Sequence, residues 1–157
     1  MRKSLVVAFC TVAFTSLALA QDNLETKWHC AKPTSEQSYQ VPNTSGRSYG
    51  AAQGSCSATS SKTGEKSGVY TEAMDTTKTS LANHGTYVVT MDDGDKVYYS
   101  YSGKGNPAKK VASNKWTIAG GTGKYKAAKG AGTCAGTMND DGSSDWSCTG
   151  TFTAGGQ

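Results

Sequence analysis

The clearest pattern lies in the second half of the chain, where apolar and polar residues alternate with a period of two. Residues 85–91 and 96–102 are rich in Val, Tyr and Thr and flank Asp92, Asp93, Gly94 and Asp95. An Asp-Gly pair between two such runs predicts a hairpin with a two-residue turn, because Gly tolerates positive φ at no steric cost. A turn on Asp93 and Gly94 pairs Val88 with Tyr99 and Thr90 with Val97. Val97, Tyr99 and Tyr101 then share one face, expected to be the interior. Residues 115–118 predict a further strand with Trp116 and Ile118 together. Two more strands, near 130–138 and 144–153, flank the turn-forming residues 139–143. In the last of them Trp146, Cys148, Gly150 and Phe152 occupy one side. No apolar stripe of helical period follows the first twenty residues. Many short strands, with turns every 8–12 residues or so, predict an all-β fold, an antiparallel barrel or sandwich.

The first half is less regular. Residues 21–27 read as a polar lead-in, and 26–31 as a short strand around Trp28 and Cys30. Residues 32–50, with Pro33, Pro42 and Asn43, read as loop with one edge strand. Cys56 sits among small and polar residues that end in the turn Lys62, Thr63, Gly64. Residues 69–74 predict a strand, and 75–85 leave room for a short helical turn.

The N-terminus has its own signature. Arg2 and Lys3 precede an apolar run from Leu5 to Ala20, and Ala18, Leu19 and Ala20 supply a small-x-small cleavage site. This predicts a signal peptide over 1–20, cleaved after Ala20, followed by one domain over 21–157. The location implied is periplasmic or extracellular. No later stretch approaches the roughly 18 apolar residues of a membrane helix, so no membrane insertion of the mature chain is expected. Large aliphatic side chains are scarce and the 19 glycines all follow the leader, which excludes an aliphatic helical bundle. Of the whole chain's +4 net charge, two cations belong to the leader. Lys124, Lys126 and Lys129 alternate with small residues and read as the solvated face of a strand, so nucleic acid is not an expected partner.

Cysteine arithmetic follows from export. Cys10 leaves with the leader, and Cys30, Cys56, Cys134 and Cys148 remain, an even set that predicts two disulfides. A regular hairpin centred on Asp141 puts Cys134 opposite Cys148, Trp146 opposite Gly136 and Phe152 opposite Gly130, so that each ring covers a glycine. Cys30 then pairs with Cys56 by elimination.

Catalytic signatures are thin. Gly120, Gly121, Thr122 and Gly123 lack the ending of a phosphate-binding loop and read as a bend or bulge in a sheet. The two Asp-rich turns are explained by turn chemistry rather than calcium. His29 and His84 are the only imidazoles; no nucleophilic triad or zinc site forms around them, and no cofactor is expected. The acidic residues fall mostly in turns, which leaves no buried carboxylate pair to name.

Residues 116–133, with Gly120, Gly121, Thr122, Gly123 and Tyr125 at their centre, resemble the Gly-Gly-Thr-Gly-aromatic segment of dirigent and allene oxide cyclase proteins. They are also similar to small exported bacterial proteins with that barrel. The resemblance implies a single antiparallel barrel of about eight strands, often with a central apolar cavity. It implies no particular catalytic residue, and the four cysteines depart from the plant pattern. The function expected is that of a non-catalytic exported barrel binding a small apolar or aromatic molecule, with Tyr99, Tyr101 and Trp116 lining the cavity. The alternatives are a dirigent-like or isomerase/cyclase activity in the cavity, and a structural or interaction protein of the cell envelope.

Overall fold

The computed structural model describes residues 22–155. The leader predicted over 1–20 lies outside the described residues. Nine strands follow in order: β1 (Asp22–Cys30), β2 (Ser35–Gln40), β3 (Ser48–Ser61), β4 (Glu65–Thr76), β5 (Leu81–Met91), β6 (Lys96–Asn106), β7 (Val111–Gly121), β8 (Lys129–Met138) and β9 (Ser144–Thr153). From β3 to β9 each strand pairs antiparallel with the next, and β1 lies between β9 and β3. Eight strands thus close a barrel, while β2 pairs with β3 alone as an exposed edge. In the eight barrel strands inward and outward residues alternate along the strand and so set the interior.

The polar lead-in is therefore strand. In β1 the charged residues Glu25 and Lys27 face outward, and Leu24, Thr26, Trp28 and Cys30 face inward. The stretch holding Cys56 is the longest strand of the barrel. Its inward residues, Ala52, Gly54 and Cys56, are too small to give a hydrophobic signal, because rings from neighbouring strands fill the space above them. No helical turn forms in 75–85. Instead β4 and β5 are joined by a tight turn, where the Thr77 hydroxyl accepts the Ser80 N–H at 3.0 Å.

Register differs from expectation in one hairpin. The β5–β6 turn holds three residues, with the Met91 N–H donating to the Asp95 carbonyl and Gly94 at φ +88°. This is the bulged three-residue loop, which shifts the pairing by one position relative to a two-residue turn. Tyr87 faces Tyr99 and Val89 faces Val97, so Val89, not Val88, is in the core. The interior face of β6 is unchanged: Val97, Tyr99 and Tyr101 point inward.

The glycine run begins within the end of β7, where the strand carries a bulge, as expected. Tyr98 pairs with Gly120 and Tyr99 with Ile118, leaving Ala119 as the extra residue. Residues 124–126 are not strand. Gly123–Tyr125 form a 3₁₀ turn that drops Tyr125 into the barrel end, while Lys124 pairs with Asp93 at 2.7 Å. The β8–β9 hairpin has the predicted register, and both disulfides, Cys134–Cys148 and Cys30–Cys56, join direct cross-strand partners. Trp146 covers Gly136. Phe152 faces Gly130 across the ladder but packs on Tyr125, 5.9 Å between centroids, and Ile118 takes the place above Gly130.

The core occupies one end of the barrel. Val89, Met91 and Val97 are at most 1% exposed, and Leu24, Tyr125, Ala128 and Phe152 complete the plug.

Candidate functional site

Above the plug the barrel is not filled. A cavity of about 140 Å³ runs between the aromatic rings, with Leu24 and Val89 at its floor. Its inner wall is made by buried Trp28, Tyr99 and Trp116, together with Tyr87. Its outer part is lined by partly exposed Tyr70, Glu72, Tyr101, Asn114 and Trp146, so it opens at the end that carries the β4–β5 and β8–β9 turns. The rings meet edge to face: Trp28 on Tyr87 at 5.2 Å and 78°, Tyr99 on Trp116 at 5.5 Å and 76°. Such pairs are favoured by the ring quadrupoles.

All three residues expected to line a pocket do so. Tyr99 and Trp116 form the buried wall, and Tyr101 stands nearer the mouth. The four disulfide cysteines also reach the cavity wall.

The sequence names no buried carboxylate pair, yet two acids reach the cavity wall. Glu65 and Glu72 both line the cavity, and Glu65 is 4% exposed. They lie seven residues apart on β4, an odd spacing that puts two residues on opposite faces of a regular strand. A bulge at Lys66, between Glu65 opposite Met91 and Ser67 opposite Thr90, reverses the alternation and turns both inward. Gly64 and Gly68 flank the bulge two residues away on either side, but Gly64 reads as part of the β3–β4 turn and Gly68 lies under the Tyr87 ring, so neither marks Lys66 as the extra residue.

Each carboxylate is held by neutral donors. Glu65 accepts hydroxyl bonds from Thr26 at 3.1 Å and Thr63 at 2.7 Å, and one from Ser61; the Tyr99 hydroxyl reaches it at 3.4 Å. Ser61 in turn accepts the N–H groups of Thr63, Gly64 and Glu65, so the β3–β4 turn is wrapped on this acid. Glu72 accepts the Asn83 amide at 2.8 Å and the Tyr101 hydroxyl at 3.1 Å.

Burial raises the tyrosine pKa values along the wall, and the acids add to it. Tyr70 is pushed up to about 12 by burial and then by Glu72. Tyr99 and Tyr87 are raised further, by burial and then by Glu65; Tyr101 is raised by burial and then by Glu72. These hydroxyls stay protonated at neutral pH and act as donors.

Three buried polar atoms in the lining have no hydrogen-bond partner: the Tyr87 hydroxyl, Trp116 Nε1 and Asn114 Oδ1. Neither histidine takes part. His84 is exposed, and His29 bonds Asp145 on the outer surface at 2.8 Å. The site can therefore enclose a small ring, donate hydrogen bonds to it from tyrosine and indole groups, and offer carboxylate and amide oxygens as acceptors.

No protein-family model matches the chain, and no curated protein matches it in sequence. Among solved structures, the pterocarpan synthase dirigent protein PsPTS1 is similar at a TM-score of 0.52 and 16% identity, covering 88% of this chain and 97% of that one. The pterocarpan synthase dirigent protein GePTS1 gives a TM-score of 0.46 at 16% identity, covering 94% and 99%. At the first of these values the likeness is one of architecture, and the chain has the fold of a dirigent-like barrel.

Proposed function

We propose that this is an exported protein whose barrel binds a small apolar or aromatic molecule in the open-ended cavity. The observation that carries the reading is a ring-lined space containing Trp116 Nε1 and the Tyr87 hydroxyl, buried and without partners. Buried polar groups are costly unless satisfied, so such atoms mark where a bound molecule would complete the site. The size fits a single ring with small substituents, since an apolar cavity of about 150 Å³ takes up benzene. Export is supported by the leader-like first twenty residues and by two disulfides, which persist in oxidising compartments. Native mass spectrometry of the protein purified from its source tests the reading. A stoichiometric small-molecule adduct is expected; an unliganded protein that also fails to take up benzyl alcohol contradicts it.

One observation favours a second reading, dirigent-like or isomerase chemistry. Tyr101 donates to Glu72 at the mouth and Tyr99 approaches Glu65 deeper in, so an acid and a base stand beside an apolar space. Positioned proton transfer and enclosure are enough for such a reaction. Turnover of a ring-bearing substrate, lost in Glu72→Gln with binding retained, is the result expected under that reading.

A further inference from the structure

The charge of the cavity narrows the class of ligand. Among the described residues Glu65 and Glu72 are its only carboxylates, and no Lys, Arg or His lines it. The two acids are not equally satisfied. Four hydroxyls converge on Glu65, whereas Glu72 receives two bonds, both on Oε2. Two amide oxygens near Glu72 are buried and without a partner, Asn83 Oδ1 and Asn114 Oδ1. The orientation of Asn83 is fixed, because its Nδ2 is engaged by a group that can only accept. The ladder places Asn83 and Asn114 on either side of Gly103, with the Asn114 amide lying over that glycine. One wall of the mouth thus offers a carboxylate and the Asn114 amide oxygen as acceptors, with Asn83 behind Glu72 as its hydrogen-bond donor, and the inner wall offers ring surfaces.

We propose that the ligand of this cavity is a small aromatic ammonium ion, its ring among Trp28, Tyr87, Tyr99 and Trp116 and its ammonium group at the mouth on Glu72 and the Asn114 oxygen. This rests on the reading of the cavity as a binding site. Three physical terms favour it. An ammonium group supplies the donors that the free acceptors lack. It neutralises a carboxylate facing a poorly solvated space. The surrounding rings attract a cation through their quadrupoles. An anionic group placed at the mouth meets the opposite of each. The raised tyrosine pKa values, to which Glu65 and Glu72 contribute, report the same negative potential.

Three probes of one shape decide it: benzylamine, benzyl alcohol and benzoate, titrated into the oxidised protein at neutral pH and low salt, with the Trp116 indole N–H followed by NMR. Benzylamine is expected to bind about tenfold more tightly than the alcohol, equivalent to 1.4 kcal/mol, and benzoate not to bind. In Glu72→Gln the preference for amine over alcohol is expected to vanish. Equal binding of amine and alcohol at Trp116 overturns the ammonium assignment and leaves the binding cavity standing. Failure of all three to perturb Trp116 overturns both. A preference that survives in folded Glu72→Gln overturns the role of Glu72, and the wild-type series decides the charge class even where that variant fails to fold.

Discussion

Five of the interior rings lie against a neighbour that has no side chain. Tyr70 covers Gly54, Tyr87 covers Gly68, Tyr101 covers Gly85, Trp116 covers Gly132 and Trp146 covers Gly136. All but the Tyr87 pair are direct partners across the ladder. This arrangement holds large rings flat against the wall and leaves space along the axis. A valine at Gly136 forces the indole of Trp146 away from its place, and a loss of about 1–3 kcal/mol is expected from such overpacking, measured by denaturant unfolding. The wall residues should also separate by depth. Trp116→Ala, at 6% exposure, is expected to cost about 3–5 kcal/mol. Tyr101→Phe removes one hydrogen bond to Glu72 and is expected to cost about 1 kcal/mol. Equal losses in the two variants would contradict the distinction between buried wall and open mouth. Tyr99, Tyr101 and Trp116 were legible as interior residues because β6 and β7 alternate cleanly where they stand. Glu65 and Glu72 were not, because a bulge at Lys66 reversed the alternation between them and its flanking glycines serve the turn and the Tyr87 ring.

At the scale of elements, the β8–β9 hairpin was readable because its turn is symmetric and its cysteines, tryptophan and glycine agree on one register. The β5–β6 hairpin was misread by one position, since Asp92-Asp93-Gly94 forms a bulged loop rather than a two-residue turn. Strand β3 was missed because its inward positions are small and borrow their apolar cover from other strands. The disulfides sit differently in this scheme. Cys134–Cys148 staples neighbours already joined by a short turn, with a separation of 14 residues. Cys30–Cys56 spans 26 residues and fastens β1 to β3, the seam where the barrel closes. Chain entropy assigns about 3 kcal/mol to the first and about 3.5 kcal/mol to the second. Replacing Cys30 and Cys56 together by serine is expected to lower the melting temperature more than replacing Cys134 and Cys148. The reverse order, read by calorimetry, would show that the seam is secured by its hydrogen bonds alone.

For the whole molecule, stability should fall with pH on the alkaline side before the core is otherwise disturbed. Tyr70, Tyr87, Tyr99 and Tyr101 all have folded-state pKa values above the ordinary value near 10. Below about pH 10 they are protonated in both states, and their contribution is fully present. Above it the unfolded chain loses protons first, so unfolding is favoured as pH rises; for buried Tyr99 the slope reaches about 1.4 kcal/mol per pH unit. Ultraviolet titration should show these tyrosines ionising only as the barrel opens, and ionisation of all eight near pH 10 in the folded protein would contradict their burial. Export is checked at the same scale by intact mass: the secreted chain should begin at Gln21, and retention of residues 1–20 would refute the leader. The central claim, that the barrel binds a small ring-bearing molecule, is tested most directly by the Trp116 indole N–H, a buried donor without a partner inside the cavity. In a benzyl alcohol titration followed by ¹H–¹⁵N NMR, that resonance should move saturably, with other shifts confined to inward residues around the cavity, Trp28 of β1 included. A Trp116 signal that stays still at saturating ligand, or shifts confined to the outer face, would contradict the account.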